Sequence, residues 1–544
     1  MPETLSLRPA ALVSEFSRRF TNWKLNRYFD KPTFSFIEYN RRKWPQRKTS
    51  SEGPVVLLGL SSIPASVFCH SYLANYLADK FGGRIESYQF TGSPDQVMKE
   101  VFASFGANFT LTMGDKAEYK DEAFAIFESL QSKWDVVNLT LDGILIGDKI
   151  YDTYLRAYNL ATVDLKDERL AEIILQGVTV FHTIRKYLAK TKVAALLTDD
   201  PSYINTGILA RMMFAANIPI YICSWGSQLM LWKVDPQTSN SGKKFPPPAL
   251  VHPYYSYRTL FARLSSEKQA AAILRARDAL EKRLAGVFCP LICLPQSPYS
   301  DDTHKGTVLT GTGKPKMLVM LHDFIDSPHT HRNMLFPDFY EWLCFLLEHA
   351  ERTDFDWYVK PHPFASAGGG AINEANRGVV TELKKRFQKV TWLPPTASNQ
   401  QIMADGVTAL FTVHGTVAHE FAYRGVPVVN AGDSPHIDYD FNIHARTVEE
   451  YAAYIANADQ LKLEIDREKI EEYFYMNYFY FTDHFSAEVN LIDPALFEDI
   501  ESARGLSGSE MYSLYMAGAT PERERGIHKY FDLYFNELQT KQSP

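Results

Sequence analysis

One stretch of the chain, residues 357–433, constrains the fold more than any other. It contains an apolar strand at 357–360, a second at 409–413, a small turn with Gly415, and a helix that returns to a third strand at 426–429. Strands that alternate with helices in this way indicate a parallel α/β unit. A strand that ends at a glycine-containing turn and opens a helix presents unpaired backbone N–H groups and a positive dipole end. The sequence therefore predicts an anion site at this turn.

Side chains near this turn indicate a ligand larger than a simple anion. His362 follows the strand at 357–360, where it can donate a hydrogen bond to phosphate. Glu420 lies four residues after Thr416, one helical turn into the helix, where a carboxylate can accept hydrogen bonds from ribose hydroxyls. The alternatives are a structural strand-end histidine and a solvated helix face. We interpret the combination as a site for a sugar nucleotide, which makes glycosyl transfer the leading hypothesis.

Composition sets the broad class of the protein. A chain of 544 residues exceeds one ordinary core, so two large domains with appendages are expected. The hydrophobic share of 45% and the charged share of 22% are those of a soluble globular protein. The net charge of -7 provides no basis for general nucleic-acid binding. We find no apolar run of about 20 residues that would span a membrane and no secretory leader pattern, so we expect a cytoplasmic protein.

The motifs of common cofactor and metal sites are incomplete in this sequence. The first strand is followed by residues 59–64, which lack the G-x-G-x-x-G pattern of a dinucleotide site. Cys289 and Cys293 lack the spacing and the second pair of a zinc site. Asp438 and Asp440 form a D-x-D pattern beyond the nucleotide helix, and we interpret them as loop-capping residues. We therefore expect no cofactor and no essential metal.

Alternation of strands and helices continues through both halves of the chain. Residues 55–60 are a continuous apolar run, as in a buried parallel strand. Further strands of the first half are predicted at residues 84–88, 109–113, 136–139, 193–197 and 218–223. A second unit opens with a strand at residues 315–321 and includes the nucleotide features. Two Rossmann-like units in series, the second with the nucleotide site, match the plan of a GT-B glycosyltransferase.

The predicted fold class is therefore α/β and GT-B-like, with two Rossmann-like domains facing a central cleft and a helical C-terminal tail. We predict a basic, aromatic extension at 1–53, an acceptor domain at 54–300, a donor domain at 301–480, and a tail at 481–544 that braces the domains. The basic extension offers peripheral contact with an anionic inner-membrane surface. We prefer a solvated helix and linker, because no sustained amphipathic period is present.

Several segments resemble a known family. The matching text is Lys360-Pro361-His362-Pro363, then His414-Gly415-Thr416 with Glu420 and Gly425-Val426-Pro427, and also residues 322–329 and 141–148. These segments resemble bacterial capsular polysaccharide glycosyltransferases of the GT-B group that use CMP-activated ulosonic acids, such as Kdo or the nonulosonic acids. The resemblance covers the second domain well and the first domain loosely. Gly368-Gly369-Gly370 and the basic N-terminus do not fit the family pattern.

The resemblance implies roles for specific residues and partners. In such enzymes the His-Pro element and the turn bind the CMP phosphate and ribose, which assigns donor binding to His362, Pro363, His414, Gly415, Thr416 and Glu420. A CMP-ulosonate also carries a carboxylate, for which Lys360, His322 and His329 are candidate partners. The implied partners are a CMP-sugar donor and a glycan acceptor of a bacterial surface polysaccharide, with a lipid-linked acceptor as one option and no nucleic acid.

The acceptor hydroxyl needs a general base, or the sugar needs a carboxylate nucleophile, and GT-B geometry places either on the first domain. Asp199 and Asp200 follow a buried strand at its C-terminal end, where ligands bind in open α/β sheets. Two neighbouring carboxylates can also raise the pKa of one of them. For one of the two, a helix N-cap role before Pro201 is an equal alternative. Asp148 is the second choice.

Two other functions fit the same predicted fold. A sugar-nucleotide 2-epimerase would need acid–base residues in the cleft but no acceptor groove. A non-catalytic component of glycan assembly or export would keep the fold and lack the base. Turnover of a donor without an acceptor would favour the epimerase.

Overall fold

The computed structural model describes residues 29–44, 53–90, 92, 95–223, 231–234, 254–286, 299, 307–330, 333–362, 371–483 and 508–540. In chain order its first part contains helix α1 (Lys31–Lys43), strand β1 (Val55–Gly59), α2 (Pro64–Phe81), β2 (Arg84–Gln89), α3 (Gln96–Ser104), β3 (Ala107–Thr112), α4 (Lys120–Ser129), α5 (Lys133–Val137), β4 (Thr140–Leu141), β5 (Ile144–Leu145), α6 (Gly147–Tyr158), α7 (Glu168–Leu188), β6 (Val193–Thr198), α8 (Ile204–Ala215), β7 (Ile220–Cys223), β8 (Leu231–Lys233), α9 (Tyr257–Phe261) and α10 (Ser266–Leu284).

The second part adds the remaining elements: β9 (Lys316–Met320), α11 (Phe339–Ala350), β10 (Asp356–Lys360), α12 (Ala371–Arg386), β11 (Thr391–Trp392), α13 (Asn399–Ala404), β12 (Ala409–Thr412), α14 (Val417–Tyr423), β13 (Val428–Asn430), β14 (Ile443–His444), α15 (Val448–Ala456), α16 (Arg467–Tyr478), α17 (Tyr480–Asp483), α18 (Glu510–Ala517) and α19 (Pro521–Thr540). Several helices begin where the sequence supplies a cap. The Asp338 carboxylate, for example, accepts the backbone N–H of Glu341 at 2.8 Å at the start of α11.

Two sheets organise these elements. The first has the strand order β3-β2-β1-β6-β7-β8, with β8 antiparallel to β7 and every other pair parallel. The second has the order β11-β10-β9-β12-β13-β14 and is parallel throughout. Both orders are those of a doubly wound Rossmann sheet. The predicted α/β class with two Rossmann-like domains is therefore confirmed.

The strand order also locates the ligand-binding edges. In each sheet the winding direction reverses between two neighbouring strands, β1 and β6 in the first and β9 and β12 in the second. Ligands of open α/β sheets bind in the crevice outside the carboxyl ends of the strands at this reversal point. We call these places the first crevice, between the loops after β1 and β6, and the second crevice, between the loops after β9 and β12.

One predicted strand, at residues 136–139, is wrong. Residues 133–137 form helix α5, with Val136 and Val137 buried. The helix starts at a capping box, in which Ser132 and Asp135 each accept the other's backbone N–H. This local hydrogen bonding determines the conformation of a short apolar run that is equally compatible with a strand.

The apolar core links the two sheets. One face of the first sheet and the interior of the second sheet belong to a single cluster of buried apolar residues, which includes Leu57 and Leu196 from the first and Val319 and Phe411 from the second. The other face of the first sheet packs in a separate cluster with α2 and α19. The two domains thus share a buried apolar boundary beside the crevices.

The chain ends return to the first sheet. In α1, Phe36 stacks on Tyr512 of α18, with ring centroids 4.3 Å apart. The Tyr530 hydroxyl of α19 accepts the backbone N–H of Leu231 at 3.1 Å. Residues 1–28 and 45–52 of the predicted basic extension lie outside the described residues. Within the described part of the chain, no helix is long and apolar enough to cross a membrane.

Candidate active site between the two sheets

His322 organises the turn predicted to bind the donor phosphate. It follows β9, which lies beside β12 in the sheet. Its Nε2 accepts the backbone N–H groups of Val413 at 3.3 Å and of His414 at 3.2 Å. A ring nitrogen that accepts must be unprotonated, so the neutral ring has its hydrogen on Nδ1. His322 therefore holds the turn in place through Nε2, which differs from the predicted contact with the donor carboxylate.

The turn after β12 leaves backbone N–H groups for a ligand. The hydrogen bonds found among the described residues give no acceptor to the N–H groups of Gly415, Thr416 and Val417. Thr416 is exposed, and the rings of His414 and His322 lie 4.5 Å apart. A Cβ on Gly415 would lie 3.4 Å from His322 Cε1 and 3.3 Å from Val417 Cγ2, so a larger residue would be in tight contact with the turn and the ring. Four predicted donor-binding residues thus meet at the second crevice.

The His-Pro element lies on the next strand of the same edge. Lys360 ends β10 and is buried, with Nζ donating to Asn399 Oδ1 at 2.5 Å. Burial lowers the pKa of Lys360 to about 8. His362 is half-buried, and burial lowers its pKa, against the opposing effect of the Asp323 carboxylate. Pro363 lies outside the described residues. The Lys360 side chain therefore lies in the protein interior. His362 is more exposed to solvent than Lys360.

Glu420 requires a correction. It is fully buried, and its carboxylate is held by Arg283 Nε at Oε1 and by the Tyr299 hydroxyl at Oε2, the latter at 2.6 Å. Arg283 belongs to α10 and is itself buried. Both carboxylate oxygens are therefore engaged by protein groups, and the side chain is not exposed to solvent. This geometry argues against the predicted ribose contact and makes Glu420 a structural link between α14 and α10.

Asp199 and Asp200 lie at the first crevice. The Ser61 hydroxyl, after β1, donates to Asp199 Oδ2 at 2.8 Å. Asp200 is exposed and accepts the backbone N–H of Ser202 at 2.8 Å, as a residue that caps a turn does. The two aspartates therefore differ in their surroundings. Asp199 lies at the reversal point of the sheet, and Asp200 makes a local capping contact.

Asp148 is held in a buried ion pair. Arg211 approaches both of its carboxylate oxygens, with Nη2 at 2.5 Å from Oδ2. Burial opposes ionisation, but the charges of Arg211 and Lys149 and the hydrogen bonds from Arg211 together outweigh it, and the pKa of Asp148 is well below its usual range. A carboxylate that is already neutralised by a bidentate arginine has little tendency to accept a proton. This placement does not favour Asp148 as a general base.

His329 joins the two domains. Its Nδ1 lies 2.6 Å from Asp152 Oδ1, and its backbone N–H donates to Asp152 Oδ2 at 3.3 Å. Asp152 belongs to α6 of the first domain and is fully buried, and His329 is 8% exposed. Burial lowers the pKa of His329, but the Asp152 carboxylate outweighs this effect, so the pKa is raised. His329 thus bonds to protein, and its Nδ1 is not free for a donor carboxylate.

The two crevices face each other across this junction. The loop after β9 reaches the loop after β6, where the Tyr203 hydroxyl donates to Asp326 Oδ1 at 3.4 Å. The Ser202 and Thr330 hydroxyls lie 3.5 Å apart at the same place. Nearby, the Tyr151 hydroxyl donates to Asp338 Oδ2 at 2.5 Å. The loops at the carboxyl edges of the two sheets are therefore in direct contact at this junction.

Sequence reasoning missed several residues of this region. Asp152, Arg283, Tyr299 and Ser61 each contact a predicted site residue but belong to no recognisable motif. Their partners lie 177, 137, 121 and 138 residues away in sequence. Only Ser61 had an available signal, because it follows the first strand at the sheet edge where ligands bind.

No model of a known protein family matches the chain, and no curated protein matches its sequence. Among solved structures, the chain is similar to Thermosulfurimonas dismutans KpsC, a beta Kdo 2,4 transferase, with a TM-score of 0.32 and 10% identity over 52% of this chain and 79% of that one. It is similar to the UDP-GlcNAc 2-epimerase from Neisseria meningitidis, with a TM-score of 0.22 and 11% identity over 78% and 96%. A glycosyltransferase from Rickettsia africae ESF-5 gives a TM-score of 0.26 and 10% identity over 79% and 95%. Values this low identify no family.

Proposed function

We propose that this protein is a GT-B glycosyltransferase that moves an acidic sugar, Kdo or a nonulosonic acid, from a CMP-sugar donor to a bacterial surface glycan. The observation that carries the proposal is the arrangement of the crevices. The loop after β9 in the donor-side sheet touches the loop after β6 in the other sheet. A ligand on the turn at Gly415 would therefore lie close to groups of both domains.

The turn at Gly415 is the proposed place of the donor phosphate. Cleavage of a sugar–phosphate bond develops negative charge on the leaving phosphate, and fixed donors aimed at that charge stabilise it. The free N–H groups of Gly415 and Thr416, with the side chains of Thr416 and His362, supply such donors. His322 acts indirectly, because it fixes the turn through Nε2. The ribose contact is not assigned to Glu420.

The first crevice is the proposed place of the acceptor. Asp199 and Ser61 lie at the reversal point of this sheet, and Asp200 follows on the same loop. Carboxylates and hydroxyls are suited to bind the hydroxyl groups of a glycan. The role of Asp199 or Asp200 as general base stays a prediction, which the double variant Asp199→Ala/Asp200→Ala tests through loss of transfer.

Thermal unfolding with CMP, UMP, GMP, UDP and GDP tests the donor class. A ligand that binds only the native state raises stability, by about 2.7 kcal/mol at a concentration 100 times Kd. We expect CMP to raise Tm more than the other nucleotides do. The His322→Ala variant should lose most of this shift because its turn is no longer fixed, whereas His528→Ala, an exposed histidine of α19, should keep it. A larger shift with UDP would reject the CMP-sugar assignment.

A further inference from the structure

An aspartate–histidine pair spans the junction between the two domains. Asp152 lies on α6, and His329 lies on the loop after β9, which borders the second crevice. Two contacts join them, one through the ring Nδ1 and one through the backbone N–H of His329. These contacts fix both the position and the rotation of the imidazole. The ring edge of Tyr151 packs against it, with centroids 5.1 Å apart.

The other ring nitrogen of His329 is left without a bond. Nε2 is buried, and it has no hydrogen-bond partner among the described residues. A buried polar atom without a partner typically costs about 1–3 kcal/mol. With an ionised Asp152 accepting from Nδ1–H, a neutral His329 presents a lone pair at Nε2. This is the arrangement of a base whose tautomer is set by a carboxylate.

The charges around the ring favour uptake of a proton. The carboxylates of Asp152 and Asp148 raise the pKa of His329, and the nearby Lys149 lowers it. Arg211 pairs with Asp148, Asp200 acts on Lys149, and Asp326 is exposed on the same loop as His329. Among these groups Asp152 is the carboxylate that contacts the ring directly. The environment therefore stabilises the imidazolium that a base forms when it accepts a proton.

We propose that His329 is the general base of this enzyme and that Asp152 is the residue that positions it. This inference rests on the proposed glycosyl transfer. In a direct displacement, the acceptor hydroxyl oxygen bonds to the anomeric carbon while the carbon–oxygen bond to the CMP phosphate breaks and its electron pair leaves with the phosphate. The hydroxyl proton passes to Nε2 of His329, and solvent later removes it. In this inference His329 replaces Asp199 or Asp200 as the base, and the two carboxylates are left to bind hydroxyl groups of the acceptor.

Release of CMP from CMP-Kdo and CMP-N-acetylneuraminic acid, with water as the acceptor, measures the role directly. A general base contributes about 100-fold to 10,000-fold in rate. We expect His329→Gln to lose at least about 100-fold in kcat, while the Tm shift caused by CMP stays. Added imidazole should restore part of the activity of His329→Ala. The control is His528→Gln, the same substitution at an exposed histidine of α19, which should keep its activity.

The pH profile separates a base from a structural link. A histidine base acts when neutral, so kcat/KM should rise with pH through an acidic limb above the ordinary histidine pKa of 6.5, because Asp152 raises the pKa of His329. Removing that charge in Asp152→Asn should move the limb to lower pH and reduce the rate. Should His329→Gln fail to fold, the nearly isosteric Asp152→Asn variant still gives this shift.

Three outcomes would overturn the inference. Activity and an acidic limb in His329→Gln like those of the unchanged protein would show that His329 is not the base. A loss of activity that only parallels a loss of the CMP-induced Tm shift, with no imidazole rescue, would reduce the pair to a structural link. An unchanged protein that neither binds CMP nor releases it from either donor would reject the proposed function and the base together, which the first two outcomes do not.

Discussion

The ion pair between Arg283 and Glu420 indicates whether Glu420 has a structural or a ligand-binding role. Both side chains are buried, and the pair joins α10 to the first turn of α14. Burial opposes ionisation of Glu420, but the charge of Arg283 and the hydrogen bonds from Arg283 and Tyr299 together outweigh it and lower the pKa of the carboxyl. An ion pair of this kind is costly to break from one side, because the remaining charge stays buried without a partner. Glu420 therefore has a structural role, in which it links α14 to α10.

The pair can be tested by removing one charge and then both. Arg283→Met leaves the Glu420 carboxylate buried and unpaired, and we expect it to lower the free energy of unfolding by about 3–5 kcal/mol. The double variant Arg283→Met/Glu420→Gln should recover a large part of that loss. Urea unfolding measures both values. Equal stability of Arg283→Met and the unchanged protein would contradict the assignment.

A second residue-scale feature concerns two histidines of the second domain, the fully buried His419 and the half-buried His444. His419 Nδ1 lies 3.2 Å from His436 Nε2, and the Ser434 hydroxyl lies 2.8 Å from His444 Nε2. Burial lowers the pKa of His419 to about 4 and that of His444 to about 3. Both rings are thus neutral in the folded protein at pH values where an unfolded histidine, with a pKa of 6.5, takes up a proton.

Stability should therefore fall as the pH falls below 6.5. In this range the unfolded chain binds more protons than the folded one, so the free energy of unfolding decreases by up to about 1.4 kcal/mol per pH unit for each histidine. Above pH 6.5 these histidines cause no pH dependence. In urea unfolding between pH 4 and 7, the variant His419→Gln/His444→Asn should show a shallower slope than the unchanged protein. Parallel slopes would rule out this explanation.

At the scale of elements, α19 completes the first sheet from the far end of the chain. Its Tyr530 and Tyr534 hydroxyls accept backbone N–H groups of β8, the edge strand, which would otherwise lack partners on that side. Phe531 is fully buried against the same face. Helix α19 thus caps the edge strand through hydrogen bonds and also packs its apolar side chains against one face of the first sheet.

Substitutions within α19 separate packing from helix propensity. Phe531→Ala should lower the free energy of unfolding by about 3–5 kcal/mol through lost apolar contact and a cavity. Tyr530→Phe should cost about 1–3 kcal/mol, because the N–H of Leu231 loses its acceptor. Leu533→Ala is the control, since Leu533 is 39% exposed on the same helix. A loss in Leu533→Ala equal to that in Phe531→Ala would contradict the packing account.

At the scale of the whole molecule, two sheets with the same strand order face each other through their reversal points. The alternation of apolar strands and helices was sufficient to predict this architecture, because parallel strands buried on both faces leave a strong signal. The same signal failed at residues 136–139, where a capping box made a helix. Sequence patterns predict helices and strands well where the apolar periodicity extends over many residues. They predict poorly where capping hydrogen bonds determine the conformation of a short segment.

The site was predicted less completely than the fold. The turn at Gly415 and the strand-end aspartates follow from position on a sheet edge, and their location at the crevices agrees with that reasoning. The surroundings of Glu420 and His329 depend on Arg283 and Asp152, which lie 137 and 177 residues away. Contacts between residues so far apart in sequence depend on how whole helices and strands pack. No local sequence pattern predicts them.

Amide hydrogen exchange with saturating CMP tests the central claim, that the second crevice binds the nucleotide of the donor. We expect slower exchange in residues 321–330 and 413–417, which are the loop after β9 and the turn after β12. Peptides of α19 serve as the internal reference and should not change. Unchanged exchange in both crevice segments, or protection located elsewhere, would contradict the account.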